Sequence, residues 1–512
     1  MWIDYLLFAL FGASLVAIAL YTRRRAGSVS EFMHAGKGGL GGLMTAFAYG
    51  TTYFSAVIFI GYAGSFGRQF GLAAVWIGVG NALVGALVAW LVLAERTKRM
   101  TKNLSASTMP AFFEARYGSR GLRIVSAVVI FLFLTPYSAS VYNGLSVLFE
   151  RIYGIPGWVM MLFLAAFTAL YLVFGGYLAT ALSDFIQGIV MLVGVALMVF
   201  FFLNHENVSW DLSRLVSDKE LSWFTFGSES GGLYGSTVSL IALILLTSFG
   251  VFALPQTIHK YQSIRDRRAI RQGMIVSTVF ALAIGFGAYF TGALSAFFPE
   301  TAALASDRVI PEMLALVIPA GLSGIIAVLI LSASMSTLSS VSLSSASAVT
   351  LDLYRTCVKK DATDKETTLV LRIFCFAFIL LSVVLAILNE KLGLAAIAYM
   401  MGISWGTLAG CFIGPFVLGL VWRRVTAAAA WVSIGTSLGL TVFLTIFLGY
   451  DKLGYACTFG EALKAGVGCS PLTGVACMAA SMLVTVAVSL LTKPPRQEIL
   501  DRAFYKPENE SV

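Results

Sequence analysis

Charged side chains are scarce in this sequence. Asp, Glu, Lys and Arg make up 12% of its 512 residues, about half the share of a soluble globular chain. Histidine is scarcer: there are three, scattered along the chain, so no His cluster is available to hold a metal or act as a base. The six cysteines form no CxxC pair, which excludes a zinc ribbon or a thioredoxin-like redox motif. Paired acids inside the apolar stretches are missing too, and with them the constellation an intramembrane enzyme needs. No low-complexity block or linker divides the chain, so one domain over 1–512 is expected.

What the chain has in quantity is apolar surface. Hydrophobic residues make up 58%, and runs of about twenty recur from end to end, long enough to cross a ~30 Å hydrocarbon layer as helix. About thirteen spans result, roughly 2–21, 41–66, 72–94, 123–149, 156–174, 180–203, 233–258, 272–297, 313–346, 368–388, 393–420, 427–449 and 471–491. This is the pattern of an all-α integral membrane protein. The first run, "WIDYLLFALFGASLVAIALY", lacks a basic leader and a small-residue cleavage site, and reads as a retained span. The longest outer segment, roughly 204–232, is amphipathic and modest.

With the N-terminus outside, segments 22–40, 95–123, 259–271, 351–372, 421–426 and the C-terminal tail face inward and hold 27 of the 35 Lys and Arg. That asymmetry sets the orientation as N-out, C-in. The anionic inner leaflet then accounts for the net charge of +9. "RTKRMTK" and "HKYQSIRDRRAIR" read as topological anchors at the bilayer rather than nucleic-acid-binding arms. Cys375, Cys411 and Cys477 lie in spans as small packing residues. Cys457 and Cys469 share an outer loop, "YDKLGYACTFGEALKAGVGCS", and are the only plausible disulfide pair.

Two spans look interrupted. The second has a polar midpoint, "GTTYFS", and the seventh breaks at "SFGVFALPQ". In lipid, freed backbone groups must find partners, so such breaks survive beside a cavity or an ion site. Two of them five spans apart point to an inverted-repeat transporter; close glycine packing is the plainer alternative.

The ninth span carries an excess of hydroxyls, "LSASMSTLSSVSLSSAS". Ala333, Ser336, Thr337, Ser340, Ser344 and Ser347 follow helical spacing and share one face, with Ser339 beside it. Such hydroxyls can bond back to their own helix or permit close packing. Clustered, they also suit a hard monovalent cation, which wants several neutral oxygens and at most one carboxylate. Asp184 is the acid lying well inside a drawn span; it is either that carboxylate or a helix-end acid at the interface.

"GGYLATALSDFIQG", "ASMSTLSS" followed by "LDLYR", "FSAVIFIGYAG" and "GPFVLGLVWRR" together resemble the sodium/solute symporter family, in order, over about residues 30–425. The resemblance implies a ten-helix core in two inverted halves of five, roughly 41–420, with the first core helix and its repeat partner broken. The helices at roughly 2–21, 427–449 and 471–491 would be additions. It implies a first sodium site from the carbonyls of Thr51, Phe54 and Ala333 with the hydroxyls of Ser336 and Thr337. It implies a second sodium held by Asp184, Ser336, Ser339 and Ser340, and so two coupling ions per cycle.

By the same resemblance, the solute would lie among Ser55, Ile58, Trp76, Tyr137, Phe252 and Trp405. The sequence departs from particular branches. Val57 stands where sodium/proline carriers have Trp, Ile58 where sugar carriers have Gln, and no Arg lies between Arg123 and Arg151, where sialic-acid carriers place one. A small zwitterion such as proline, or a monocarboxylate, is the expected solute. A sugar or sialic acid, or a non-transporting sensor role, is the alternative. The implied protein is a multi-pass secondary transporter of the cell membrane, not an enzyme, whose partners are sodium, solute and lipid, with no obligate protein partner evident.

Overall fold

A computed structural model describes residues 2–36, 39–217, 222–223, 232–234, 236–319, 321–393 and 396–505. Most of the outer segment from 218 to 231 therefore lies outside the described residues. Among those described, regular structure is helical, apart from one isolated bridge between Leu40 and Ile264. Eleven helices among the described residues are long and apolar enough to cross a membrane. Two of these, Val57–Leu104 and Gly157–Asn204, have 48 residues each. At about 1.5 Å per residue, that is more than twice the hydrocarbon thickness.

Each long helix contains a glycine off the helical path: Gly71 at φ 56°, ψ −136°, and Gly176 at φ 59°, ψ −151°. Only glycine takes such angles without strain. A Cβ on Gly176 would also lie 2.8 Å from the Phe32 carbonyl oxygen. Divided at these points, the helices correspond to the spans expected at 72–94, 156–174 and 180–203.

The span expected at 313–346 needs correction. A short helix, Ser306–Val317, ends before the crossing helix Ser323–Ser347 begins. Pro319 and Gly321, the latter at φ 94°, lie between them, and Pro disfavours helix in the residue before it. The hydroxyl-rich helix is the most enclosed of the crossing helices: 94% of its most apolar window is buried. Its hydroxyls therefore face protein, not lipid.

Both expected breaks are present. The helix Gly42–Tyr53 ends at Phe54 in extended backbone (φ −107°, ψ 102°) and resumes over Val57–Gly67. The helix Ser236–Gly250 gives way to a tight turn, Val251–Ala253, and an extended Leu254, before Pro255–Ser263. Pro255 opens the second half, where its missing N–H costs nothing. The first broken span and the helix after it pack closely with Arg267–Ala293. An added Cβ on Gly67 would come within 2.5 Å of Gly292, and one on Gly78 within 2.6 Å of Gly285, so the backbones touch directly.

Not every basic residue of the inward segments sits at the bilayer surface. Arg116 is buried and donates to the carbonyls of Gly419, Trp422 and Arg423 at 3.1, 3.1 and 3.3 Å. It caps a helix end whose last carbonyls have no partner within the helix.

The expected disulfide does not form. Cys457 and Cys469 are both free thiols. The ten-residue helix Phe459–Gly468 stands between them and separates them by about 15 Å along its axis, while a bridge needs Cα atoms within about 7 Å. Thr458 and Glu461 close a capping box on that helix. The exposed Glu461 carboxyl is held below the usual carboxylate range by the Thr458 backbone N–H and hydroxyl.

Candidate functional site

The break at Phe54 leaves the last carbonyls of Gly42–Tyr53 without the amide donors a continuing helix would supply. The hydroxyl-rich helix meets them. Ser336 Oγ donates to the Thr51 carbonyl at 3.1 Å, and Thr337 Oγ1 lies 3.3 Å from the same oxygen and 3.5 Å from that of Thr52. Ser336 Oγ is also 3.3 Å from the Ala333 carbonyl. Four of the five oxygens expected at the first sodium site are thus gathered between one broken and one intact helix. Oxygens held at about 2.4 Å around a hard cation lie roughly 3–3.5 Å from one another, which is the spacing seen. Phe54, the fifth, is the residue at the break itself.

Asp184 is fully buried beside this cluster, not at an interface. Gly188, one turn further along its helix, permits close approach to the broken span: a Cβ there would lie 3.0 Å from Thr51 Cγ2. The sequence reading missed the residue that meets Asp184. Lys260, in the second half of the seventh span, is 1% exposed and places Nζ 3.5 Å from Asp184 Oδ2. The same ammonium donates to Ser340 Oγ at 2.9 Å and stands 5.0 Å from the Tyr177 ring centroid. Ser340 Oγ shares a further hydrogen bond of 2.9 Å with Thr52 Oγ1. Ser339 Oγ donates to the Ser336 carbonyl at 3.0 Å.

A small cavity of ≈10 Å³, about the room of one water, lies against the break, lined by Ser55, Ile58 and Trp405 of the expected solute residues. Tyr53, inside the polar midpoint of the second span, lines it too, as do Asn81 and Thr247, which carried no mark in the sequence beyond being polar in apolar spans. Tyr137 packs edge-on to Trp405 at 5.6 Å. Tyr137 Oη and Trp405 Nε1 are both buried without a hydrogen-bond partner, a costly state unless something else fills the space. Phe252 lies in the second break and packs on Phe249 at 5.6 Å. Trp76 stands apart: it is 36% exposed, and its indole N–H donates to the Trp223 carbonyl at 3.0 Å.

Two broken helices flanking a small cavity, with an oxygen cluster at one break, are the architecture of a membrane carrier. The sodium:solute symporter family matches residues 32–439, and the chain belongs to that family. It is a multi-pass membrane protein and a sodium-coupled transporter of small solutes.

The high-affinity proline transporter of Bacillus subtilis is 28% identical over 504 residues, covering 95% of this chain and 98% of the relative. The sodium/proline symporter of Escherichia coli is 28% identical over 442 residues, covering 83% and 84%. Among solved structures, a Na+-coupled sialic acid symporter in a substrate-bound outward-open state aligns with TM-score 0.75 at 17% identity, covering 97% and 99%. A manganese transporter of Eremococcus coleocola aligns with TM-score 0.55 at 13% identity, covering 91% and 99%. These likenesses establish the fold, a helical core in two inverted halves.

Proposed function

We propose that the chain takes up a small zwitterion, proline or a close analogue, driven by sodium at the cluster of Thr51, Phe54, Ala333, Ser336 and Thr337. The observation that carries this reading is the convergence of the Ser336 and Thr337 hydroxyls on the Thr51 carbonyl at the helix break. Sodium there would join the broken span to the hydroxyl-rich helix, and the adjoining cavity, now the size of a water, would widen to hold the solute. Its apolar ring would lie against Ile58 and Trp405, and its carboxylate would take the free donors of Trp405 and Tyr137, with Ser55 beside them.

The relatives named as proline transporters support this choice. So does the lining, mostly aromatic and apolar with few polar groups, which suits a small zwitterion better than a sugar. Around Asp184, Ser339 and Ser340 lies a second cation position. Thirteen crossings with the N-terminus outside complete the reading.

The test is uptake into proteoliposomes. Labelled proline, small monocarboxylates and sugars are offered with an inward sodium gradient, then with potassium in its place. Proline accumulation that needs sodium is expected. Equal uptake under both gradients would refute sodium coupling, and accumulation of a sugar alone would refute the solute.

A further inference from the structure

We infer that the second cation position is filled by the chain's own Lys260 ammonium, so that one sodium ion, not two, moves per solute. The inference rests on the sodium-coupled reading above and adds to it the identity of the second charge.

The oxygens assigned to a second sodium are Asp184, Ser336, Ser339 and Ser340, and they do not face a common point. Ser336 Oγ is divided between its own helix, at the Ser332 carbonyl 2.9 Å away, and the Thr51 carbonyl of the first site at 3.1 Å. Ser339 Oγ bonds back to its own helix. The other two meet Lys260: Asp184 Oδ2 at 3.5 Å and Ser340 Oγ at 2.9 Å, with the Tyr177 ring 5.0 Å away. A primary ammonium carries one positive charge and three donors. A carboxylate, a hydroxyl and an aromatic face are partners suited to it.

Burial makes the assignment selective. Lys260 and Asp184 are 1% and 0% exposed on their side chains, so neither charge is hydrated and each requires the other. A sodium ion added against Asp184 would put two like charges beside one carboxylate in a poorly screened place. The ammonium also differs from an ion in being tethered. It sits on Pro255–Ser263, the half-helix just past the second break, so it can balance Asp184 in every cycle without leaving the protein.

Purified full-length protein in nanodiscs, titrated with radioactive sodium alone, tests this directly. Wild type should bind one sodium per protein with a Hill coefficient near one. Lys260→Ala and the milder Lys260→Gln, checked for folding by size exclusion and thermal melting, should bind a second, with the coefficient rising towards two. Two sodium ions bound by wild type would overturn the inference, as would folded Lys260 variants that still bind one. If neither variant folds, the wild-type count decides alone. Wild type that binds no sodium would refute the symport reading itself, a separate and recognisable failure.

Discussion

The phenolic hydroxyl of Tyr53 donates to the main-chain carbonyl of Thr247 at 2.7 Å, tying one broken span to the other immediately before each break. The Thr247 hydroxyl continues the link to Asn81 Oδ1 at 2.7 Å. The Tyr53 ring meanwhile lies along Trp405 at 6.0 Å. One residue therefore joins the two interrupted helices and forms part of the cavity wall.

Tyr53→Phe keeps the ring and removes the tie. It should cost about 1 kcal/mol, rising towards ~3 kcal/mol if the Thr247 carbonyl stays unpaired. A lower melting temperature and a slower maximal uptake rate are expected. An unchanged melting curve with unchanged rate would show that water replaces the link.

Ser336→Ala should weaken sodium affinity roughly ten- to a hundredfold, the loss of ~1–3 kcal/mol for a buried ligand oxygen. Thr337→Val preserves shape and removes one oxygen, so it should act in the same direction. Sodium activation curves for uptake measure both. Normal sodium dependence in Ser336→Ala would reduce the hydroxyl face to packing.

Tyr137→Phe should raise the KM for the solute several-fold while leaving sodium affinity nearly unchanged, because it removes a buried donor packed against Trp405 of the cavity wall. Trp76→Phe, away from the cavity, should leave KM where it was. Competition binding with proline distinguishes them, and an equal effect of both variants would argue against the placement of the solute.

Cys457 and Cys469 should remain thiols after isolation from an oxidising compartment, and intact-mass analysis after unfolding and maleimide labelling under non-reducing conditions should find both labelled. Thr458→Ala removes the cap of the helix between them, worth about 1 kcal/mol. Oxidant-induced cross-linking should rise in that variant alone.

The breaks were legible because glycine and proline mark where a helix cannot continue, and the hydroxyl face because small polar residues repeat at helical spacing. Lys260 was not legible. It opens a run that also holds Arg265, Arg267, Arg268 and Arg271, and nothing in a basic run says which member is drawn inside. Its distance from Pro255 was the available clue: five residues past the start of a half-helix lies barely more than one turn deep. The disulfide was misread for a related reason. Twelve positions in sequence do not reveal a helix holding the ends apart, although the Thr-x-x-Glu cap after Cys457 was there to be seen. Asn81 and Thr247 carried no signal, since single polar residues in apolar spans are common as packing groups.

The direct backbone contact between Gly67 and Gly292, and between Gly78 and Gly285, has a mechanical consequence. Where no side chains intervene, no rotamer change can absorb a displacement, so the first broken span, the helix after it and Arg267–Ala293 must travel as one stiff block. Thr51 belongs to that block, whereas Ser336 and Thr337 sit on the hydroxyl-rich helix outside it. The oxygens of the first candidate site therefore come from both sides of a seam. A cation there would act as a clutch: engaged, it would hold the two sides together, and its departure would let them part.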